Sequence, residues 1–324
     1  MRFSLLTVVA LLFASLTAHP LHAQTSSATY PAKPIRFVVP VAAGGSNDIL
    51  GRLIAERLRE RWGQPVVIEN RPGAGQMIGA DMVAKAPPDG YTLLIPTGTY
   101  TSSVALQRKL PFDPLNDLTG VSMIGDGPLV VTVHPSLPVK SVKELIALAR
   151  ARPGEIHYAS AGSGSIVHFA SEMFASAAKI NIVHVPYKSG APSVVDAVGG
   201  HVQVLITSMA AVWPHVKTGR MRALAITSPK RSMFAPDLPP VSDVLPGYAA
   251  SQWWGVLAPG KTSPEIVARL NTEINRILGS DDMKPRLVEQ GAELMLMPAD
   301  VFSRYVRDEI AKWRRIVSER NLAG

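Results

Sequence analysis

The sequence predicts an α/β protein with two lobes, and two observations support this. From residue 34 onward, short apolar runs alternate with amphipathic stretches, which is typical of strands alternating with helices in a mostly parallel sheet. The chain has 324 residues, of which 47% are hydrophobic and 18% are charged. It is therefore long enough and apolar enough to bury the cores of two domains.

The first series of predicted elements begins with a buried strand followed by a tight turn. The turn Gly44-Gly45-Ser46 supplies the N-cap of a helix, and Gly63 ends that helix. A glycine-rich segment and a second helix separate the next two strands. The predicted strands are 35–39, 66–69 and 93–95, and the predicted helices are 48–62 and a segment that ends at Val83.

A second series follows the same alternation and continues into a helical C-terminal region. Residues 229–246 are rich in proline, a composition typical of a loop. This loop separates the second series from the helical region. The predicted strands are 129–133, 156–159, 183–185, 202–207 and 222–227, and the predicted helices are 142–150, 165–178, 193–198, 264–278, 281–290 and 299–319.

The crossing segments near Gly125 and Thr227 are candidate hinges between the lobes. We expect lobe 1 to comprise residues 24–125 and 228–324, and lobe 2 to comprise residues 126–227.

The N-terminus has the pattern of a secretory signal peptide over residues 1–23. Arg2 precedes an uncharged apolar run, 5–14, that is too short to span a bilayer. Cleavage is expected after Ala23, with Ala18 as the alternative. We expect the mature protein in the periplasm and not spanning a membrane, since a chain without cysteine has no thiol to be oxidised there.

The charge and the composition exclude several classes of function. The formal charge is +8, but the 33 basic residues form no run of five or more, so we expect a solvated surface and no nucleic-acid partner. The absence of cysteine excludes thiol nucleophiles and iron–sulfur clusters. The histidines form no pair at metal-ligand spacing, and we expect neither a metal nor a cofactor.

Enzyme motifs fail on their spacing. Residues 161–165, AGSGS, differ from the G-x-S-x-G elbow at both ends. Residues 73–79 are one residue too long for G-x-G-x-x-G. The alternative that remains is an exported hydrolase that uses Ser163 or Ser165 with His168, which needs an acidic partner that spacing does not identify.

Two loops rich in glycine and serine, 40–48 and 160–168, each join a predicted strand to a predicted helix. Backbone N–H groups at such positions can hold an anion, and ligands of open α/β sheets collect at the carboxyl ends of strands. Because one loop occurs in each predicted lobe, we interpret the pair as an anion site. Asp48 is expected to cap its own helix and to pair with Arg52.

Two side-chain groups keep two interpretations each. His168 either binds a ligand or holds its loop. The pair Trp253-Trp254 either closes over a ligand or belongs to the core, where an alternating strand would bury one of the two side chains.

A set of short motifs resembles the Bug family of periplasmic receptors for tripartite tricarboxylate transporters. The motifs follow one another in the family's order over essentially the whole mature chain. They are YPAKPI at 30–35, GGSND at 44–48, ENRPGAG at 69–75, PDGYTL at 88–93, SAGSGSIVH at 160–168, VPYK at 185–188 and ALAITS at 223–228.

The resemblance implies a type II periplasmic binding protein fold, in which two α/β lobes joined by crossing strands surround a ligand cleft. It implies a receptor without catalytic activity, which binds a small organic carboxylate by hinge closure. Its partners would be the membrane permease subunits of a tripartite tricarboxylate transporter. The ligand-binding residues it implies are Ala43, Gly44, Gly45, Thr97, Gly98, Ser163, Gly164, Ser165, His168 and Thr207.

The sequence departs from the family's pattern at three places. Val41 replaces a frequent aromatic residue, Gln76-Met77 replaces a second glycine after Gly75, and Thr207-Ser208 replaces an acidic residue. Without that acid, the site has no anionic partner for an amino group. We therefore expect a dicarboxylate or an aromatic acid in preference to an amino acid.

Overall fold

The computed structural model of the protein describes residues 30–107, 109–232 and 235–320. The predicted signal peptide and both of its candidate cleavage sites lie outside the described residues. Within the described ranges, no helix combines the length and the apolar character needed to cross a membrane.

The described residues contain ten strands, joined in one sheet. The strands are β1 Ile35–Val39, β2 Val66–Asn70, β3 Thr92–Leu94, β4 Leu118–Val133, β5 His157–Ser160, β6 Val183–Pro186, β7 Val204–Ser208, β8 Arg222–Ile226, β9 Ser251–Pro259 and β10 Glu293–Leu294. Their order along the sheet is β2-β1-β3-β9-β4-β7-β5-β6, and β8 and β10 also pair with β4.

Helices connect most of these strands. In the described ranges they are α1 Ser46–Trp62, α2 Met77–Ala84, α3 Gly98–Leu106, α4 Val142–Ala151, α5 Ile166–Ala178, α6 Gly190–Val198, α7 Met209–Lys217, α8 Pro264–Leu278, α9 Met283–Glu289 and α10 Ala299–Arg320. Gly63 ends α1 in a left-handed conformation, with φ of 66°, as its position in the sequence predicted.

The prediction of a mostly parallel sheet holds only for the outer strands. β1 runs parallel to β2 and β3, and β5 runs parallel to β6 and β7. The centre is antiparallel, because β9 pairs in that sense with both β3 and β4, and β4 does so with β7 and β8. The two parallel groups are therefore joined by crossing strands that run in opposite directions.

Strand β4 connects the two halves of the sheet without interruption. Its first part pairs with β9 from Leu118 to Pro128, and its last part, Leu129 to Val133, pairs with β7 and β8. The sequence predicted only this last part, because Gly120, Gly125, Gly127 and Pro128 interrupt the apolar pattern of the first part. Helices α3 and α7 were also missed in the prediction, and α7 contains Pro214.

Each half of the sheet packs a separate apolar core, and α10 contributes to both. Phe302, Val306 and Ile310 lie in the core that surrounds β1, β3 and β9. Trp313, three residues further on, lies in the core around β5 and β7, where its ring centroid is 5.4 Å from that of Phe169. The C-terminal helix therefore packs across the junction between the two halves.

Candidate functional site

The first glycine-rich loop is held in place by a buried carboxylate. Asp48 Oδ2 accepts hydrogen bonds from the backbone N–H of Gly44 at 2.9 Å and from Arg52 Nε at 3.1 Å. Asn70 Nδ2 donates to Asp48 Oδ1 at 2.9 Å and to the carbonyl oxygen of Val41 at 3.0 Å. The predicted pairing of Asp48 with Arg52 is confirmed. The expectation that Asp48 caps its own helix was wrong, because the backbone N–H that it binds belongs to Gly44 of the loop.

These contacts keep Asp48 ionised. Burial alone would raise the pKa of this carboxyl, but the hydrogen bonds from Arg52 and its other partners outweigh burial and lower the pKa below its ordinary value of 3.8. The charge is compensated by the guanidinium of Arg52, 3.1 Å away. The exposed residues 42–44 of the loop thus lie beside a neutralised ion pair.

Helix α1 begins without a side-chain cap. Its N-cap is Gly45, which has no side chain to accept from the first-turn N–H groups. The hydroxyl of Ser46 accepts a hydrogen bond from Trp254 Nε1 at 2.8 Å instead. This end of α1 is suited to an anion, because it combines first-turn N–H groups that have no cap with the positive end of the helix dipole.

Thr97 and Gly98 lie at the start of α3 and are fixed by Gln76. Gln76 Nε2 donates to Thr97 Oγ1 at 2.6 Å, and its Oε1 accepts from the backbone N–H of Thr97 at 3.1 Å. Gln76 has a φ of 78°, in the left-handed region that favours glycine. Its side chain thus stabilises both an unfavourable backbone conformation and the N-cap of α3. In the sequence, Gln76 stood out because it replaces a glycine that is frequent in the family. That departure was the signal that could have pointed to its structural role.

The second loop, 160–168, is organised by Ser165. This residue is the N-cap of α5, and its Oγ accepts from the backbone N–H of His168 at 3.2 Å. The same hydroxyl donates to the carbonyl oxygen of Gly162 at 2.7 Å. Its only proton is therefore used within the loop. Ser163 is exposed, and its hydroxyl has no hydrogen-bond partner among the described residues.

Helix α3 contacts the second loop directly. The hydroxyl groups of Ser102 and Ser103 lie 2.8 and 3.3 Å from the carbonyl oxygen of Gly164. The backbone N–H of Ile166 donates to Thr99 Oγ1 at 3.5 Å. The starts of α3 and α5 therefore lie side by side, although they are far apart in sequence.

Trp254 connects these features to the first loop. Its indole bonds to Ser46, and its backbone pairs with Thr97 in an isolated antiparallel bridge. The first loop, the start of α3 and the second loop thus form one continuous set of contacts. Thr207 is not joined to this set by any hydrogen bond found in the described ranges. It lies buried on β7, opposite Val130 of β4.

Both tryptophans belong to the core, so the expectation that only one is buried was wrong. Trp253 is 0% exposed and Trp254 is 1% exposed. Strand β9 lies between β3 and β4 in the interior of the sheet and is covered on both faces, which is why consecutive side chains are both buried.

His168 holds the second loop. Its Nδ1 accepts from the backbone N–H of Gly164 at 3.3 Å, which assigns the ring proton to Nε2, 4.0 Å from Glu172 Oε1. The ring stacks on His184 with centroids 4.2 Å apart, and His184 stacks on Tyr158 with centroids 4.9 Å apart. Of the two roles open for His168, these contacts favour the structural one.

The same geometry bears on the hydrolase alternative. The Oγ of Ser165 bonds to backbone groups, and the ring nitrogen Nδ1 of His168 is occupied by the N–H of Gly164. Among the described residues, neither Ser163 nor Ser165 is hydrogen-bonded to an imidazole. This arrangement does not activate a serine hydroxyl.

Replacement of His168 by Asn is expected to reduce the loss of stability in mild acid. Burial lowers the pKa of His168 from 6.5 to about 4, so the unfolded chain takes up this proton first as the pH falls. Stability contributed by the neutral ring is then lost between about pH 6.5 and about pH 4. Asparagine does not titrate, and its Oδ1 can still accept from Gly164.

Urea unfolding of both proteins across this pH range measures the effect. The stability advantage of the wild type over His168→Asn should be largest near about pH 7 and should decrease toward about pH 4. Gly190→Ala, which changes no titratable group and meets nothing within 4 Å of its added Cβ, serves as the control and should differ from the wild type by a constant amount. A constant difference for His168→Asn as well would contradict the prediction.

Sequence comparisons identify relatives that span nearly the whole chain. A family model described as "Tripartite tricarboxylate transporter family receptor" matches residues 50–322. The chain is 41% identical to Protein BugT of Bordetella pertussis over 300 residues, which cover 92% of this chain and 92% of BugT.

Solved structures share the architecture. Rpa4515 of R. palustris, solved with adipate, has a TM-score of 0.84 and 38% identity, covering 91% of this chain and 99% of that one. MatC from Rhodopseudomonas palustris, solved with malate, has a TM-score of 0.81 and 31% identity, covering 89% and 100% of the two chains. The periplasmic binding protein BugD has a TM-score of 0.82 and 29% identity, covering 91% and 99%.

These relatives confirm the predicted type II periplasmic binding protein fold, with two α/β lobes joined by crossing strands. They are binding proteins and not enzymes, so the hydrolase alternative is not supported. The resemblance to the Bug family is likewise confirmed by BugT and BugD. The chain belongs to the receptor family of the tripartite tricarboxylate transporters.

Proposed function

We propose that this receptor acts in the periplasm, binds a small organic carboxylate between its two lobes and delivers it to the membrane permease of a tripartite tricarboxylate transporter. The observation that carries the proposal is the continuous set of contacts from the first loop through Trp254 and the start of α3 to the second loop. The N-termini of three helices, α1, α3 and α5, belong to this set. Helix N-termini favour a negatively charged group.

Within this proposal, the ligand contacts divide between the two lobes. In the first loop, Ala43 and Gly44 are exposed and Gly45 leaves the start of α1 without a side-chain cap. In the second loop, the exposed Ser163 is better placed to contact a ligand than Ser165, whose hydroxyl is used within the loop, or His168, whose Nδ1 accepts from Gly164. The proposal keeps the expected lobe boundaries at 125/126 and 227/228, with the hinge in the segments near Gly125 and Thr227.

The ligand is proposed to be a dicarboxylate or an aromatic acid. Thr207, on β7, and the neighbouring Ser208 place no acidic group at the position where the family frequently has one. An amino acid would therefore bring a charged amino group that lacks an anionic partner there, which is costly in a site that excludes water. Adipate bound to Rpa4515 and malate bound to MatC are both dicarboxylates without an amino group.

A thermal-shift panel on the mature protein tests the proposal. The probes are adipate, succinate, malate, phenylacetate and aspartate, each with its fully esterified methyl ester as the control that has no carboxylate. At least one free acid other than aspartate should raise the melting temperature, because a ligand that binds only the native state stabilises it by mass action. Its ester should have no effect, and NMR of the mixture should detect no product.

Gly45→Val localises the binding in the same assay. A Cβ at Gly45 would lie 2.9 Å from Val41 Cγ2, so valine must push aside the Val41 side chain, and its own methyl groups would obstruct the approach of an anion to α1. The ligand-induced shift should disappear. Gly190→Ala is the control, because a Cβ there meets nothing within 4 Å. Equal shifts for Gly45→Val and the wild type, or a shift with aspartate alone, would contradict the proposed site or ligand class.

A further inference from the structure

Two buried polar atoms on β9 have no hydrogen-bond partner among the described residues. They are Oε1 of Gln252, a residue 9% exposed, and Nε1 of Trp253, which is 0% exposed. A third buried oxygen without a hydrogen bond, Asp81 Oδ1, is ion-paired with Lys85 Nζ at 2.6 Å. The Gln252 and Trp253 atoms are uncharged and have no such compensation. Leaving a buried donor or acceptor unpaired costs free energy, so this pair requires an explanation.

The two atoms converge on Gly98. A Cβ added to this glycine would lie 3.4 Å from Gln252 Oε1 and 3.5 Å from Trp253 Nε1. One atom is an acceptor and the other, an indole N–H, is only a donor. A single oxygen bearing one proton can satisfy both, because it accepts from the indole and donates to the amide oxygen. A carboxylate oxygen cannot, since it has no proton to donate.

The position belongs to the proposed carboxylate site. Gly98 is the first residue of α3, whose N-cap Thr97 is held by Gln76 and bridges to Trp254. The two unpaired atoms therefore lie at one of the three helix ends that make up the proposed site.

We infer that Gln252 and Trp253 form a subsite for a hydroxyl group carried by the ligand, and that the receptor selects hydroxycarboxylates. This inference rests on the proposed function and names the substrate class of the same site. An ordered water could supply the same O–H chemistry, and the experiment separates these two sources.

The experiment compares acids that differ only by a hydroxyl group. The pairs are malate with succinate, 2-hydroxyadipate with adipate, and mandelate with phenylacetate, and calorimetry measures each affinity. In the pair that binds, the hydroxy acid should bind about tenfold more tightly, the ratio expected for one or two neutral hydrogen bonds.

Gly98→Ala should abolish this preference. Its methyl group would lie against both polar atoms and occupy the position of the hydroxyl oxygen. Alanine suits a helix, so the melting temperature of the free protein should not fall. Gly190→Ala is the matched control, since Gly190 is also the first residue of a nine-residue helix but has nothing within 4 Å of an added Cβ. It should keep the preference.

A second readout does not depend on affinity. The indole N–H signal of Trp253, assigned by its loss in Trp253→Phe, should move more on saturation with the hydroxy acid than with its partner. Gln252→Met retains the length of the side chain, removes the acceptor and should reduce the preference as Gly98→Ala does.

Three outcomes would overturn the inference. Equal affinities within each pair would do so, and so would a preference that persists in Gly98→Ala. A uniform weakening of both members of a pair by Gly98→Ala would assign the position to an ordered water. If none of the six acids binds, the proposed function itself fails, which is a different result from binding without a preference.

Discussion

Replacement of Gly127 by Ala should destabilise the protein severely, because the folded chain has no room for the added methyl group. A Cβ at this position would fall on the carbonyl oxygen of Gly291, closer than any real Cβ contact. Gly127 lies within β4, paired with Gln252 of β9, so the strand is fixed by its ladder and cannot move aside. Gly291 adopts a φ of 66° in the segment that leads to β10, so its backbone is constrained as well.

We expect a loss of about 2–3 kcal/mol in the free energy of unfolding, the usual cost of severe overpacking. Urea unfolding measures it, with Gly190→Ala as the control because that glycine has open space around it. The control should remain within about 0.5 kcal/mol of the wild type. If Gly127→Ala were as stable as the control, the close approach of the segment before β10 to β4 would be wrong.

Thr227→Val should also have a large effect, because its hydroxyl connects three segments of the chain: the end of β8, the last part of β4 and the residue before β9. Thr227 is 0% exposed. Its Oγ1 accepts from the backbone N–H of Leu129 at 2.8 Å and lies 2.6 Å from the carbonyl oxygen of Ala250, to which it can donate. Valine has the same shape but no hydroxyl, so the N–H of Leu129 and the carbonyl group of Ala250 would stay buried and lose this hydrogen-bond partner.

The expected cost is about 2 kcal/mol or more, since each unsatisfied buried group costs about 1–3 kcal/mol. Thr132→Val is the matched control: Thr132 is also fully buried on β4, but its hydroxyl makes one hydrogen bond, to the carbonyl oxygen of Leu205 at 2.7 Å. In urea unfolding, Thr227→Val should have a lower free energy of unfolding than this control. The amide proton of Leu129 should also exchange with solvent faster in Thr227→Val. Equal stabilities would mean that the junction does not depend on this hydroxyl.

The sequence was informative wherever the local pattern was unambiguous. The predicted helix over 264–278 coincides with α8, because Ser263 and Pro264 mark its start and the apolar face repeats along it. The predicted strand over 35–39 coincides with β1 for a similar reason, since it is an uninterrupted apolar run. The family followed from ordered motifs that no single short segment would have identified.

The candidate site could be located from the sequence, but its internal contacts could not be predicted. Both glycine-rich loops were predicted, and each does join a strand to a helix. The roles within them depend on atoms that are distant along the chain: Trp254 reaches Ser46, and Gln76 reaches Thr97. No spacing rule predicts such pairs, because they arise when strands far apart in sequence become neighbours in the sheet.

The sequence by itself therefore determined the α/β class, most of the helices and strands, the position of the two loops and the receptor family. Tertiary structure alone decided that β4 runs unbroken between the halves, that Ser165 and His168 serve their own loop, and that two polar atoms on β9 meet at Gly98. The physical reason is the range of the interactions involved. Hydrophobic periodicity and helix capping involve residues a few positions apart, so they can be recognised in the sequence. Strand pairing and the hydrogen bonding of buried polar groups depend on partners that only the folded chain brings together.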